Sequence, residues 1–250
     1  MARKVREAER ALPYTYDRGK EIALGADGTP TSSLDKLAED AILEVVMERD
    51  LPFNILSEEA GMINRGKDRT LVIDPIDGTQ NAIMGVPFYS VSLALGTKSM
   101  KDVEVALVQN LVTGDTYYAE KGMGAYLNGA RIRVRSCSPQ DIMFLMYMGL
   151  YSAPETFQIM KRARRSRALG CASLEMCLVA EGRADAYYIN CDVYEKAIRV
   201  VDIAASALVL REAGGEIVSL DGRSLDMGFN LKERSNYLAY GDEKIRKVVM

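Results

Sequence analysis

Leu71-Val72-Ile73-Asp74-Pro75-Ile76-Asp77-Gly78-Thr79 is the stretch on which the reading of this chain turns. Its first three residues are apolar and predict a short buried strand, Leu71 to Ile73. Pro75 fixes φ and removes a donor, so the strand is expected to stop there. Asp74 and Asp77 then flank a turn, and Gly78 permits close backbone approach to a ligand. Such a turn can aim both carboxylates and the amides of Gly78 and Thr79 at one point. Carboxylates there would hold a metal, and amides would hold phosphate oxygens. Taken alone, the segment reads equally well as an ordinary turn in which Asp bonds its own backbone.

Three other acidic positions gain meaning beside it. Glu58-Glu59 follows an apolar strand predicted over Phe53 to Leu56. Two strand ends of one sheet can bring such clusters together, although taken alone the pair reads more readily as a solvated acidic loop. Asp202 opens an apolar helix predicted over Val200 to Ala213, where a first-turn carboxylate also serves as a cap. Asp35 stands three residues after Ser32 at the head of the clearest helical periodicity, Leu34 to Arg49. That spacing fits a capping box; the alternative is a base that polarises a water.

Composition narrows the chemistry. The chain has 250 residues and no histidine. Histidine is the commonest general base and a leading ligand for transition metals. Its absence removes Ser-His-Asp and Cys-His triads and most catalytic zinc sites. Any metal held by Asp and Glu is a hard cation such as Mg²⁺ or Mn²⁺. The four cysteines, Cys137, Cys171, Cys177 and Cys191, form no C-x-x-C pair and read as reduced core residues. A net charge of −3 offers no bulk attraction to nucleic acid or anionic membrane. No apolar run approaches the roughly 20 residues of a membrane span. The start of the chain is too charged for a signal peptide, and a cytoplasmic protein is expected.

The remaining segments sketch a layered α/β or α+β architecture with no strict βαβ rhythm. Residues 1–23 read as a charged helix that Pro13 can interrupt, followed by the turn-rich loop GADGTPTSS. Strands are expected over Tyr89–Gly96, Glu104–Asn110 and Thr116–Glu120, with turns at Gly114-Asp115 and Asn128-Gly129. A helix over Ala172–Ala180 and strands over Asp185–Asn190 and Glu216–Leu220 complete the second half. The hairpins end near 132 to 136, so two halves are expected, 1–134 and 135–250. The basic run Lys161 to Arg167 reads as a solvated helix face, or as a source of arginine for a charged end of a substrate.

Taken together, S-E-E, D-P-I-D-G-T and V-D-I-A-A-x-x-L-x-x-R-E-A-G-G, in this order, resemble the superfamily of inositol monophosphatases and fructose-1,6-bisphosphatases. The match runs from about Gly25 to the C-terminus. The loop GADGTPTSSLD, the segment G-C-A-S-L-E and the stretch D-V-Y-E-K-A-I-R-V-V-D-I-A-A are most similar to archaeal-type members, which often act on both inositol-1-phosphate and fructose-1,6-bisphosphate. The resemblance implies an α-β-α-β-α sandwich with mixed sheets, and Mg²⁺-dependent hydrolysis of small sugar or polyol phosphate monoesters. It implies that Glu58, Asp74, Asp77, Asp202 and the carbonyl of Ile76 bind two or three Mg²⁺ (or Mn²⁺), a pair of which, about 4 Å apart, can clamp the attacking and leaving oxygens. Asp35 with Thr79 would orient the attacking water, and Glu59 would support the metal shell. The amides of Gly78 and Thr79 would hold the phosphate, and Asp77 would also touch a substrate hydroxyl. Gly170, Cys171 and Ala172 would line the sugar side. Apart from the resemblance, the reading of the basic run has Arg167, with Arg199 or Lys196, meet a second phosphate or another charged end of the substrate. A homodimer without nucleic-acid or membrane partners is implied as well.

The chain departs from the family pattern in two places. Val201 stands where many members have Trp, and Asn190-Cys191-Asp192 stands where inositol-specific members usually have a Glu. Strict inositol specificity is therefore not implied. Two alternatives stay open: the same chemistry on a nucleotide bisphosphate, and a non-enzymatic sugar-phosphate-binding relative. A P-loop, a dinucleotide fingerprint and the D-x-D-x-T motif of a phosphoaspartate enzyme are all absent.

Overall fold

The computed structural model describes residues 1–13, 16–26 and 28–250. Tyr14 and Thr15 of the N-terminal stretch, and Asp27 of the turn-rich loop, lie outside the described residues. Helix α1 (Ala2–Arg10) is followed by a hairpin, β1 (Glu21–Leu24) and β2 (Pro30–Ser32), and then by α2 (Ser33–Glu48). Next come β3 (Phe53–Ser57), β4 (Gly61–Ile63), β5 (Arg69–Asp77), α3 (Thr79–Met84) and β6 (Ser90–Gly96). Strands β7 (Val105–Asn110), β8 (Thr116–Glu120), β9 (Gly124–Leu127) and β10 (Ala130–Ile132) follow as a meander. The rest is β11 (Met143–Met146), α4 (Pro154–Met160), β12 (Arg165–Arg167), α5 (Ala172–Ala180), β13 (Ala186–Ile189), α6 (Val200–Glu212), β14 (Glu216–Ser219), β15 (Tyr237–Tyr240) and α7 (Glu243–Val249).

Two mixed sheets organise these elements. One has eight strands in the order β10-β9-β8-β7-β6-β5-β3-β4, the other five in the order β12-β11-β13-β15-β14. The central strands β5, β6, β13 and β15 are buried on both faces, whereas β8, β10 and β12 toward the edges keep exposed positions. Ile55, Ile73 and Val91 pack against Leu34, Ile42 and Val46 of α2. Leu56, Val72 and Ala94 face the opposite way, toward Ile203 and Ala207 of α6. Tyr187 and Ile189 of β13 join that central core, while Ala186 and Tyr188 turn outward to Ile159 of α4 and Ile245 of α7. The result is the expected five-layer α-β-α-β-α stack. Helix α6 is buried at every position from Val200 to Leu210 because a sheet covers it on each side.

Three expectations are corrected. The N-terminal stretch is helical only to Arg10, and residues 21–24 form an edge strand rather than the end of a helix. Strand β5 does not stop at Pro75 but runs to Asp77. Its register against β6 shifts between Asp74 and Asp77, so Pro75 lies in an irregularity that does not use its missing N–H. Residues 165–167 of the basic run form the edge strand β12, because their backbone pairs in parallel with β11.

Candidate active site

The parallel pairing of β3 and β5 sets Ser57 opposite Ile73, so Glu58, just past the end of β3, lies beside Asp74, which is still in β5 and paired with Ser92. The first turn of α6 brings Asp202 to them from the central helical layer. One carboxylate oxygen from each of Glu58, Asp74 and Asp202 lies within 4.8 Å of the others. Asp74 Oδ1 is buried and accepts no hydrogen bond, an electron-pair donor of the kind a cation satisfies. An all-oxygen donor set of this type suits a hard divalent cation. Burial, against the attraction of Arg199 and with the repulsion of Asp202, pushes Glu58 up to about 8. Burial and the neighbouring carboxylates Glu58 and Asp77 hold Asp74 well above its ordinary range. Three anionic groups so crowded are stable together only with positive charge nearby.

Asp77 is fixed by the start of α5. Its Oδ2 accepts the Ser173 amide at 2.6 Å, the Ser173 hydroxyl at 2.5 Å and the Cys171 thiol at 3.1 Å. Its Oδ1 accepts the Ala172 amide at 3.1 Å. Gly78 has φ +88°, and a Cβ there would lie 3.1 Å from the Gly170 carbonyl and 3.2 Å from Cys171 Cβ. The glycine is thus required by a left-handed backbone and by the close loop opposite. That loop has its own clamp: Glu175, buried in α5, accepts the amides of Leu169 at 3.0 Å, Gly170 at 3.2 Å and Cys171 at 3.4 Å. Asn81 donates to the carbonyls of Phe88 at 2.8 Å and Leu169 at 2.7 Å, tying α3 to the same loop.

Thr79 heads α3, and its hydroxyl lies 3.0 Å from Asp35 Oδ1 and 2.9 Å from the Ile76 carbonyl. The Ser32–Asp35 capping box is formed, so Asp35 is both helix cap and Thr79 partner. Burial raises the Asp35 pKa against the opposing bonds from Ser32 and Thr79. Thr31 donates its hydroxyl to Glu59. Glu39, buried in α2, accepts the Ser57 hydroxyl at 2.5 Å and the Ala60 amide at 2.9 Å, and so fixes the turn that presents Glu58 and Glu59.

A cavity of about 280 Å³ opens over Glu58, Asp74, Asp77, Gly78, Thr79 and Asp202. Its far wall is Tyr147, Tyr187, Ile189 and Ile198, with Lys196 at the side. A second cavity, about 300 Å³, meets Glu58 and Thr79 from the side of Asp35 and Glu59. A larger one, about 860 Å³, lies behind α3 near Arg18 and Met84 and touches none of these carboxylates. Gly170 and Ala172 line the first cavity as expected of a sugar-side wall. Cys171 does not, because its buried thiol is turned onto Asp77. Arg167 is exposed on β12, donates to the Ser166 carbonyl and is not among the residues lining this cavity. Arg199, expected at a second phosphate, lines this cavity and pairs with Glu58 at 2.7 Å and Asp202 at 2.8 Å.

Sequence reasoning missed Ser173, Glu175, Asn81 and Glu39. Glu175 carried a signal, being the one charge inside the apolar run Ala172 to Ala180. The others carried none, since the partners that tie them to the site, Asp77 for Ser173, Leu169 for Asn81 and Ser57 for Glu39, lie in other elements.

The comparisons with known proteins agree with this geometry. The chain is 37% identical, over all of its length and 92% of the relative's, to the fructose-1,6-bisphosphatase/inositol-1-monophosphatase of Methanothermobacter thermautotrophicus. It is 32% identical to the bifunctional NADP phosphatase/NAD kinase of Methanococcus maripaludis, of which it spans 47%. A solved inositol monophosphatase–fructose 1,6 bisphosphatase superimposes with a TM-score of 0.86 at 31% identity, covering 99% of this chain and 94% of that one. The sequence pattern of the inositol monophosphatase family matches residues 3–247, and the chain belongs to that family.

Proposed function

We propose that the protein is a Mg²⁺-dependent phosphatase of small sugar or polyol phosphate monoesters, with fructose-1,6-bisphosphate and inositol-1-phosphate as its substrates. The observation that carries this reading is the convergence of Glu58, Asp74 and Asp202 beside a buried Asp74 oxygen with no partner. Glu58, Asp74, Asp77, Asp202 and the Ile76 carbonyl would hold the cations, two or three of them, with Mn²⁺ as a substitute. When bound, they supply charge neutralisation of the ester and acidify a water. Everything else falls to the chain's own groups. Asp35 and Thr79 hold the attacking water on the side of the second cavity and receive its proton. The amides of Gly78 and Thr79, two residues that line the first cavity, take phosphate oxygens. The alcohol half of the substrate lies against Gly170, Ala172 and Tyr147. Such catalysis is mostly positioning and electrostatics, and it needs no protein nucleophile.

The names of the relatives support this substrate class, since an archaeal protein 37% identical is a fructose-1,6-bisphosphatase/inositol-1-monophosphatase. A nucleotide substrate is the second reading. It is favoured by the aromatic and aliphatic wall Tyr147, Tyr187 and Ile189, and by the NADP phosphatase relative. The halves 1–134 and 135–250 divide the site, the first supplying Glu58, Asp74 and Asp77 and the second Asp202. We further propose a cytoplasmic homodimer, which the family resemblance implies; among the described residues no helix is long and apolar enough to cross a membrane. Phosphate release from fructose-1,6-bisphosphate, inositol-1-phosphate and NADP, each with Mg²⁺ and with EDTA, tests the assignment. Mg²⁺-dependent turnover fastest on the first two is expected. Preference for NADP would move the protein to the nucleotide reading, and no turnover of any ester would refute both.

A further inference from the structure

Arg199 occupies an unusual place for a cation. It immediately precedes α6, with 16% of its side chain exposed. Its Nη1 is 2.7 Å from Glu58 Oε1, and its Nη2 is 2.8 Å from Asp202 Oδ1. Its Nε and its backbone N–H both reach Asp202 Oδ2, at 3.2 Å and 2.8 Å. Asp202 Oδ2 therefore has both lone pairs taken, and Asp202 Oδ1 and Glu58 Oε1 have one each taken. Asp202 and Glu58 are two of the three carboxylates whose oxygens converge. The same guanidinium is the cation that pulls against burial at Asp35, Glu58 and Asp74.

We infer that Arg199 is an internal counter-cation of the metal site, competing with the divalent ion for Glu58 and Asp202 and so setting the Mg²⁺ concentration at which the site loads. The inference rests on the reading of Glu58, Asp74 and Asp202 as metal ligands. Its physics is simple. Oxygens that accept N–H donors present fewer lone pairs to a metal. A guanidinium and a divalent ion on the same carboxylates also repel across a partly desolvated gap. Conversely, the ion pairs hold mutually repelling carboxylates together whenever Mg²⁺ is scarce, and breaking a buried pair is costly. An arginine merely supporting the ligands would act in the opposite direction, because its removal would loosen the site and weaken metal binding.

The test is Mg²⁺ binding by titration calorimetry at pH 9, where protons compete least, together with the melting temperature in EDTA. Wild type is compared with Arg199→Met, which keeps the apolar stem and removes the charge. The expected result is binding about tenfold tighter in Arg199→Met, the scale of one charge-assisted hydrogen bond, with a lower melting temperature in EDTA. Should Arg199→Met not fold in EDTA, Arg199→Lys keeps the charge but not the fork, and it too is expected to bind Mg²⁺ more tightly than wild type. Equal or weaker Mg²⁺ binding by the folded variant overturns the inference while leaving the metal site intact. Absence of Mg²⁺ binding to wild type overturns the metal-site reading, and this inference with it.

Discussion

Thr79 and Asp35 come from segments 44 positions apart and meet at 3.0 Å, where each has a structural duty besides. Asp35 caps α2, and Thr79 opens α3. Thr79→Val keeps the shape and removes the hydroxyl that would hold the water. It is expected to lower kcat by about a hundredfold, the scale of one general-base contribution, while KM changes little. Steady-state kinetics check this, and a KM effect alone would assign Thr79 to substrate binding. Glu175 gives a prediction in pH. Burial lifts it from its ordinary 4.5 to about 8. Between those values the unfolded chain has released a proton that the folded chain retains. Stability from this group is therefore full below pH 4.5, lost as pH rises toward 8 and constant above. Glu175→Gln cannot titrate. Wild type is expected to lose melting temperature relative to this variant between pH 5 and pH 8, and a constant difference would contradict the assignment.

At the scale of elements, local signals named the longer elements and failed for the short ones, where pairing decides. The periodicity of Leu34 to Val46 gave α2 within a residue, and the alternation from Ser90 to Glu120 gave β6, β7 and β8. Strands β1, β2, β4, β9, β10, β11 and β15 and helices α3, α4 and α7 have no counterpart in the sequence reading, because each such strand is only three or four residues long and each such helix six or seven. The edge strand Arg165–Arg167 reads as solvated polar chain, since only its partner β11 makes it a strand. In the site, the carboxylates were legible because their motif is local. The direction of the Asp77 carboxylate, the turn of Cys171 away from the cavity and the pairing of Arg199 depend on contacts between layers. Helix α6 carries the clearest prediction about packing. Ala205 is fully buried between the sheets, so Ala205→Leu has no room and is expected to cost about 1–3 kcal/mol. Denaturant unfolding measures this, and a neutral result would mean that the central layer is looser than described.

Across the whole molecule, the two sheets frame α5 and α6, and both helices begin at the carboxylate cluster, α6 with Asp202 in its first turn and α5 with the amides that hold Asp77. The fold thereby concentrates negative charge where burial makes it costly. Glu58 at about 8 and Asp74 well above its ordinary range express that cost. A site of this kind trades stability for chemistry. The most direct test is Mg²⁺-dependent phosphate release from fructose-1,6-bisphosphate by Asp74→Asn, with melting temperature in EDTA measured on the same sample. Asn removes one ligand charge and one source of repulsion without changing the shape. Turnover is expected to fall by at least about a hundredfold, in line with the several kcal/mol a metal contributes to the transition state, while the melting temperature in EDTA is unchanged or higher. Turnover within a few-fold of wild type at the same Mg²⁺ concentration would contradict the account.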